Sequence, residues 1–296
     1  MNRRTFFKLL GGLAVSGAAM TGYAFGIEPG LRLRVQYYAP SLPNWPSDFK
    51  LRIAVLADLH MGEPYMSLAR LERIVATVNA LEPDLILLLG DYAATRRWVM
   101  RRVSITDTAA VLTRLAAPLG IHAILGNHDW WDDKEAQKRR AGPCLYRTAL
   151  EAAGFPVYEN DGVRLVHKDR PFWLLGLADQ LAFFDGPRRF TGLDDLAGTL
   201  AKATDDAPVI LMVHEPDIFT KVPSRVALTL AGHTHGGQVR LFGYSPIVPS
   251  AYGNRFAYGH VVEDDRHLIV SGGLGCSILP VRFGVPPEID LIELGA

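Results

Sequence analysis

Five short apolar runs govern what this chain is able to fold into. They are LRIAVLA (51–57), DLILLLG (84–90), IHAILG (121–126), VILMV (209–213) and VALTLAG (226–232). Each is Leu-rich or β-branched and apolar on both faces, as strands are in a sheet covered on each side. Each also stops at residues that bind metals or move protons. Asp58 and His60 follow the first run, Asp91 the second, and Asn127, His128 and Asp129 the third. His214 follows the fourth, and His233 and His235 the fifth. Ligands in open α/β sheets bind beyond the carboxyl ends of the strands, so five such ends converge on one region.

Helical patterns separate the runs. In SLARLERIVATVNAL (67–81), Leu68, Leu71, Ile74, Val75 and Val78 share one face, Ser67 is placed to cap the start and Pro83 stops the chain. Further helices are predicted over 106–117, over 134–154 with an interruption at Pro143, and over 193–203. Residues 162–177 and 261–273 read as hairpins. Residues 28–49, with Pro29, Pro40, Pro43 and Pro46, read as a linker or edge segment. Strands alternating with helices predict an α/β or mixed α+β architecture in a single domain over residues 50–296.

Each polar residue alone has an ordinary reading. Asp58 suits a turn, His60 a surface, Asp91 a cap, Asn127 a left-handed turn and His214 a core. Five coincidences at successive strand ends are a poor account, and the last segment argues the same way. In GHTHGGQ (232–238), residues two apart in an extended chain point the same way, so His233 and His235 face one spot. Gly232, Gly236 and Gly237 leave room for backbone or ligand beside them.

The N-terminus is of a different kind. MNRRTFFKLL precedes an uncharged, Gly- and Ala-rich stretch from Leu9 to Ile27. Arg3-Arg4, Phe6, Phe7 and Lys8 resemble a twin-arginine export signal, which implies the export machinery as a partner and a location outside the cytoplasmic membrane. A retained membrane anchor is the rival reading, and on either one residues 1–27 stand outside the fold. The whole chain carries 31 basic and 31 acidic residues. Without its leader it holds more acids than bases, so no broad cationic surface for a nucleic-acid polymer is expected. Cys144 and Cys276 lie far apart in no metal-type spacing; an exported location permits a disulfide, and two unpaired, partly buried thiols are expected.

The order D-x-H, G-D, G-N-H-D, H and G-H-x-H, with the tail GLGCSILPVRFGVPPEI (273–289), resembles the calcineurin-like metallophosphoesterase superfamily, in its branch of small exported bacterial phosphodiesterases. The resemblance covers roughly residues 50 to 292. It implies a four-layer αββα sandwich of two mixed sheets flanked by helices. It implies two divalent metal ions, one on Asp58, His60 and His235, the other on Asn127, His214 and His233, with Asp91 bridging. Hydrolysis of a phosphodiester by a hydroxide between the metals follows, with His128 as acid, Asn127 also reaching substrate and Asp129 orienting His128. The all-nitrogen-and-oxygen donor set suits manganese, iron or zinc; loading before export of the folded chain favours manganese.

Substrate contacts are read from two further segments. YAATRRWVMRRVS (92–104) gathers Arg96, Arg97, Arg101 and Arg102 around Trp98, Val99 and Met100. It reads either as a cationic, apolar rim for a lipid or other envelope phosphoester, or as a solvated loop whose Trp packs on the core. Arg282 is read as a bidentate phosphate contact or a structural ion pair. Glu215, Asp217 and Asp179 carry no motif, although Asp179 follows a strand run. Pyrophosphatase action on a nucleotide-linked lipid precursor and phosphomonoesterase action are the enzymatic alternatives. A catalytically dead scaffold would have lost ligands that are all present here. Composition does not report quaternary structure, and a monomer is expected.

Overall fold

A computed structural model describes residues 2–94 and 98–295. Two sheets lie face to face. The first has the order β1 (Arg34–Tyr38), β11 (Glu288–Leu294), β2 (Leu51–Leu56), β3 (Leu85–Leu88) and β4 (Ile121–Ala123). The second has the order β9 (Gly259–Glu263), β10 (Arg266–Val270), β8 (Leu228–Ala231), β7 (Val209–Met212), β6 (Arg170–Gly176) and β5 (Asp161–His167). β2, β3 and β4 run parallel, as do β6, β7, β8 and β10. The antiparallel pairs β2–β11, β5–β6 and β9–β10 make both sheets mixed.

The period of two along each strand builds three apolar layers. Ile53, Val55, Leu85 and Leu87 face Leu174, Ile210, Met212 and Leu228 between the sheets. Their neighbours Ala54, Leu56, Ile86 and Leu88 turn outward beneath Leu71, Ile74, Val75 and Val78 of α2 (Leu68–Ala80). On the far side, Leu175, Val209, Leu211 and Val270 are covered by Phe219 and Val222, with Leu196 and Leu200 of α7 (Leu196–Leu200). The result is the four-layer arrangement, with α3 (Ile105–Leu112), α4 (Asn127–Asp132), α5 (Lys134–Arg139) and α6 (Leu145–Ala152) in the stretch that follows β3.

The predicted α2 starts where Ser67 Oγ accepts from Arg70 N at 3.2 Å. The pattern over 134–154 becomes two helices, α5 and α6, separated around Pro143. The helix predicted over 106–117 starts one residue earlier, where Ser104 caps it, and is shorter because it ends at Leu112. Two differences are larger. β11 was not expected, and it inserts between β1 and β2. The N-terminal boundary also moves inward. The helix α1 (Arg3–Gly22) buries no side chain, but the chain after it is packed. Ala24, Glu28 and Pro29 are buried, and the Ala24 carbonyl accepts from Arg282 N at 2.9 Å. Ala24 and the residues from Glu28 onward therefore touch the domain, while Phe25, Gly26 and Ile27 stay exposed.

Candidate metal centre

The loops leaving β2, β3, β4, β7 and β8 meet at the carboxyl edge of the two sheets. They do so in strained backbone: Asp58, His60, Asp91, His233 and His235 all have positive φ, between 42° and 69°. For non-glycine residues that conformation costs energy and persists only where surroundings fix it. Here the fixing contacts are hydrogen bonds between the loops. His60 N donates to Asp91 O at 2.9 Å, and His233 N donates to the Asp58 carboxylate at 3.0 Å.

The side chains converge. Ligand-capable atoms of Asp58, His60 and His235 lie within 4.8 Å of one another, and so do those of Asp58, Asp91 and His214. Asp91 Oδ2 stands 3.3 Å from His214 Nε2 and 3.5 Å from His60 Nε2. His233 Nδ1 is 3.0 Å from Asn127 Oδ1. Two outer bonds aim the imidazoles inward: His60 Nδ1 faces Ala93 O at 2.8 Å and His214 Nδ1 faces Leu89 O at 2.7 Å. A backbone carbonyl accepts only, so each Nδ1 carries a proton and each Nε2 is turned to the centre, that of His60 with a lone pair and that of His214 towards Asp91.

The electrostatics suit cations. Burial lowers His60 to about 4 and His233 to about 3, and burial with His60 and Arg282 nearby takes His235 well below its ordinary value. These three imidazoles are neutral and basic enough to ligate. Burial would raise Asp91, but the imidazoles of His214, His128 and His60 win and hold it well below the usual carboxylate range. His214 is the reverse case. Burial would lower it, but Asp91 beside it raises it, so uptake of a cation at Nε2 displaces a proton. That buried Nε2 has no hydrogen-bond partner among the described residues. A buried cluster of nitrogen and oxygen donors with an orphaned imidazole nitrogen at its middle fits divalent metal ions.

Three expected roles need correction. Asp129 does not orient the His128 ring. Its carboxylate accepts from Asp91 N, Ala93 N and Gly126 N at 2.9, 2.9 and 3.0 Å, which positions the loop that presents Asp91. His128 instead lies against the Trp131 ring, with Nε2 3.3 Å from Ser277 Oγ. Arg282 is fully buried and pairs with no carboxylate among the described residues; its guanidinium donates to the carbonyls of Gly272, Gly273, Gly275 and Val285, and Nη2 lies 3.2 Å from His235 Nδ1. Arg101 is paired with Glu63 across the ribbon of Gly62–Glu63 and Arg101–Arg102, and Arg102 with Asp132 at 2.6 Å. Arg96 and Arg97 lie outside the described residues. Trp98 does not pack on the core; it is 62% exposed. Cys144 and Cys276 are both free thiols.

Sequence reasoning passed over Glu215. It is buried beside Asp179, and its carboxylate lies within 4.8 Å of ligand atoms of His214 and His233. The signal was its place directly after His214. Gly126 explains why the centre tolerates no bulk. A Cβ there would stand 2.6 Å from His214 Cε1 and 2.7 Å from Asp91 N. Gly126→Ala is expected to cut bound metal to less than half after dialysis against a chelator-free buffer, at a stability cost of about 1–3 kcal/mol. Undiminished metal content in that variant, measured by elemental analysis, would contradict the packing argument.

A family model described as calcineurin-like phosphoesterase matches residues 51–237. The chain is 32% identical to the uncharacterized metallophosphoesterase YkuE of Bacillus subtilis, over 99% of this chain and 98% of that one. It is 27% identical to the phosphodiesterase YaeI of Escherichia coli, over 99% of each. A transmembrane protein with metallophosphoesterase domain from Bos taurus is 28% identical over 85% of this chain, which spans about half (54%) of that longer relative.

Proposed function

Because the chain belongs to the calcineurin-like phosphoesterase family, hydrolases of phosphoester bonds that use a dinuclear divalent metal centre, we propose that it cleaves phosphodiesters. Asp58, His60 and His235 would hold one cation, Asn127, His214 and His233 the other, and Asp91 would serve both. The observation that carries this reading is the place of the Asp91 carboxylate, within 3.5 Å of imidazoles that belong to the two different groups. When bound, the cations polarise the phosphoryl oxygens and make hydroxide available near neutral pH. Manganese is favoured, with iron and zinc as the alternatives.

The chain's own residues supply the rest. Asp91 offsets the repulsion of two close positive charges. Asn127, at the N-terminus of α4, holds an amide oxygen against His233 and is placed to reach the substrate. His128, the next residue, is next to the centre and has Nε2 directed at Ser277. It delivers a proton to the departing alkoxide as the bond from phosphorus to one alcohol breaks and the bond to the water oxygen forms. The products are an alcohol and a phosphomonoester. The N-terminal helix serves twin-arginine export or anchoring, and the substrate is an envelope phosphoester.

The test is turnover of bis(p-nitrophenyl) phosphate, phosphomonoesters and phospholipids by the full chain in detergent, reconstituted with Mn²⁺, Fe²⁺ or Zn²⁺. Phosphomonoester turnover with no diester turnover would remove the phosphodiesterase reading. His128→Gln is expected to lose roughly 10²–10⁴-fold in kcat with its metal content unchanged. The loss is smaller for p-nitrophenol, which leaves without a proton, than for an alkyl alcohol. Equal losses on both leaving groups would remove His128 as the acid.

A further inference from the structure

We propose that the face bearing the metal centre rests on the bilayer that the chain's own N-terminal helix enters, and that the centre draws amphiphilic phosphodiesters from that bilayer. The proposal rests on the phosphodiesterase reading and adds where the substrate resides.

The helix comes first. Helical structure runs from Arg3 to Leu31, long and apolar enough to cross a membrane, with almost none of it buried. The part of it free of the domain, Arg3–Gly22, spans roughly 30 Å at the rise of an α-helix, close to the thickness of a hydrocarbon core. Arg3, Arg4 and Lys8 lie at the end far from the domain, so the positive-inside bias places the domain on the opposite side of the membrane.

The helix leaves the domain without slack, and it leaves beside the centre. Phe25 O accepts from Tyr65 Oη at 2.9 Å, and Tyr65 lines the cleft that opens at His60. Ala24 O accepts from the backbone of Arg282, whose guanidinium backs His235. The Tyr23 ring meets Phe283 edge-on at 6.1 Å, and Arg70 donates to Pro29 O and Gly30 O. A helix fixed by so many bonds at its exit carries the surrounding surface to the membrane with it.

That surface is apolar where a soluble surface is not. Trp98, Ile278 and Leu279 stand exposed around the His60 cleft, and Met100 is exposed two residues beyond Trp98. Phe242 and Ile247 project from the next loop, which is tied to the same region through Arg240 N and Phe283 O at 2.8 Å. Elsewhere beyond residue 31, Leu145, Val166 and Val262 are exposed on separate elements, and Phe184 is exposed within a ring cluster with Trp131 and Phe190. Apolar side chains gathered around the cleft mark an interaction surface, and the tie of that cleft to the helix through Tyr65 and Phe25 selects the bilayer over a protein partner. The charges agree. Arg101 and Arg102 are matched by Glu63 and Asp132, so the rim carries no unmatched cation among these described arginines. An acyl chain in the cleft between Trp98 and Ile278 brings its phosphate to His60 and Asp91.

The experiment uses the full chain in vesicles of phosphatidylglycerol and phosphatidylcholine with brominated acyl chains. The helix contains no tryptophan, so quenching reports the domain alone. Bromolipids are expected to quench the emission, and Trp98→Phe to remove most of that quenching. No quenching, or quenching unchanged in Trp98→Phe, overturns the placement, as does a stable dimer with Trp98 shielded from both lipid and water. Met100→Ser with Leu279→Ser is expected to lower hydrolysis of vesicle phospholipid about tenfold, with bis(p-nitrophenyl) phosphate turnover within about twofold of the parent; equal loss on both overturns the substrate source. The two readings fail separately. Quenching in a chain that hydrolyses no diester sinks the phosphodiesterase reading alone, and diester turnover with Trp98 in water sinks the bilayer placement alone.

Discussion

Asp91→Asn is expected to abolish diester hydrolysis to within about 10³-fold or more below the parent, some 4 kcal/mol of transition-state stabilisation, and to leave the chain with one tightly bound ion instead of two. The effect is electrostatic and local. Asp91 Oδ1 accepts from His128 N at 2.8 Å, and the asparagine oxygen keeps that bond. The amide nitrogen then falls at the Oδ2 position, 3.3 Å from His214 Nε2 and 3.5 Å from His60 Nε2. Two cations roughly 3.5–4 Å apart need an anion between them, and this change puts a donor there. The backbone of residue 91 stays tied to Asp129 Oδ2, so the melting temperature of the metal-free variant should change little. Elemental analysis and steady-state rates decide the matter. Two ions per chain and an undiminished rate would show that Asp91 bridges nothing.

The residues around Asp91 show what the sequence made legible. Strand ends are visible because β2, β3, β4, β7 and β8 are short apolar runs, and a buried parallel strand has few other ways to read. That Asp58, Asp91 and His214 meet follows from the carboxyl edges being shared. Asp129 was misread because its neighbour His128 drew attention, whereas the three N–H groups it satisfies belong to residues 91, 93 and 126, and only folding brings them together. β11 was missed for a different reason. EIDLIEL carries Glu288 and Asp290, of a residue type ordinarily exposed, yet both are fully buried. Glu288 is held there by Arg34, by the Tyr258 hydroxyl at 2.8 Å and by Gly272 N at 2.7 Å, partners spread over the whole chain. Arg282 fails the same test, since a cation bonded to backbone carbonyls leaves no mark in side-chain patterns.

Arg282 is therefore the second position where a large effect is expected. Arg282→Ala removes a fully buried guanidinium and strands four carbonyls, those of Gly272, Gly273, Gly275 and Val285. An unsatisfied buried acceptor and a cavity together are worth roughly 3–5 kcal/mol, or a fall of roughly 6–15 °C in melting temperature for a domain of this size. Arg282→Lys recovers little, because one ammonium cannot serve the planar fork that reaches both sides of the loop. The effect extends to the metal centre. Gly273 and Gly275 pack against Asp58 and His60 so closely that a Cβ at either would stand 2.8 Å from their side-chain atoms. Releasing this loop loosens Asp58, His60 and His235 together while leaving Asn127, His214 and His233 in place. The measurable consequence is asymmetric metal loss: the variant keeps one ion at a chelator concentration at which the parent keeps two, and excess Mn²⁺ restores diester turnover without restoring the melting temperature. A variant that melts with the parent would mean that the guanidinium is not what holds the tail against the centre.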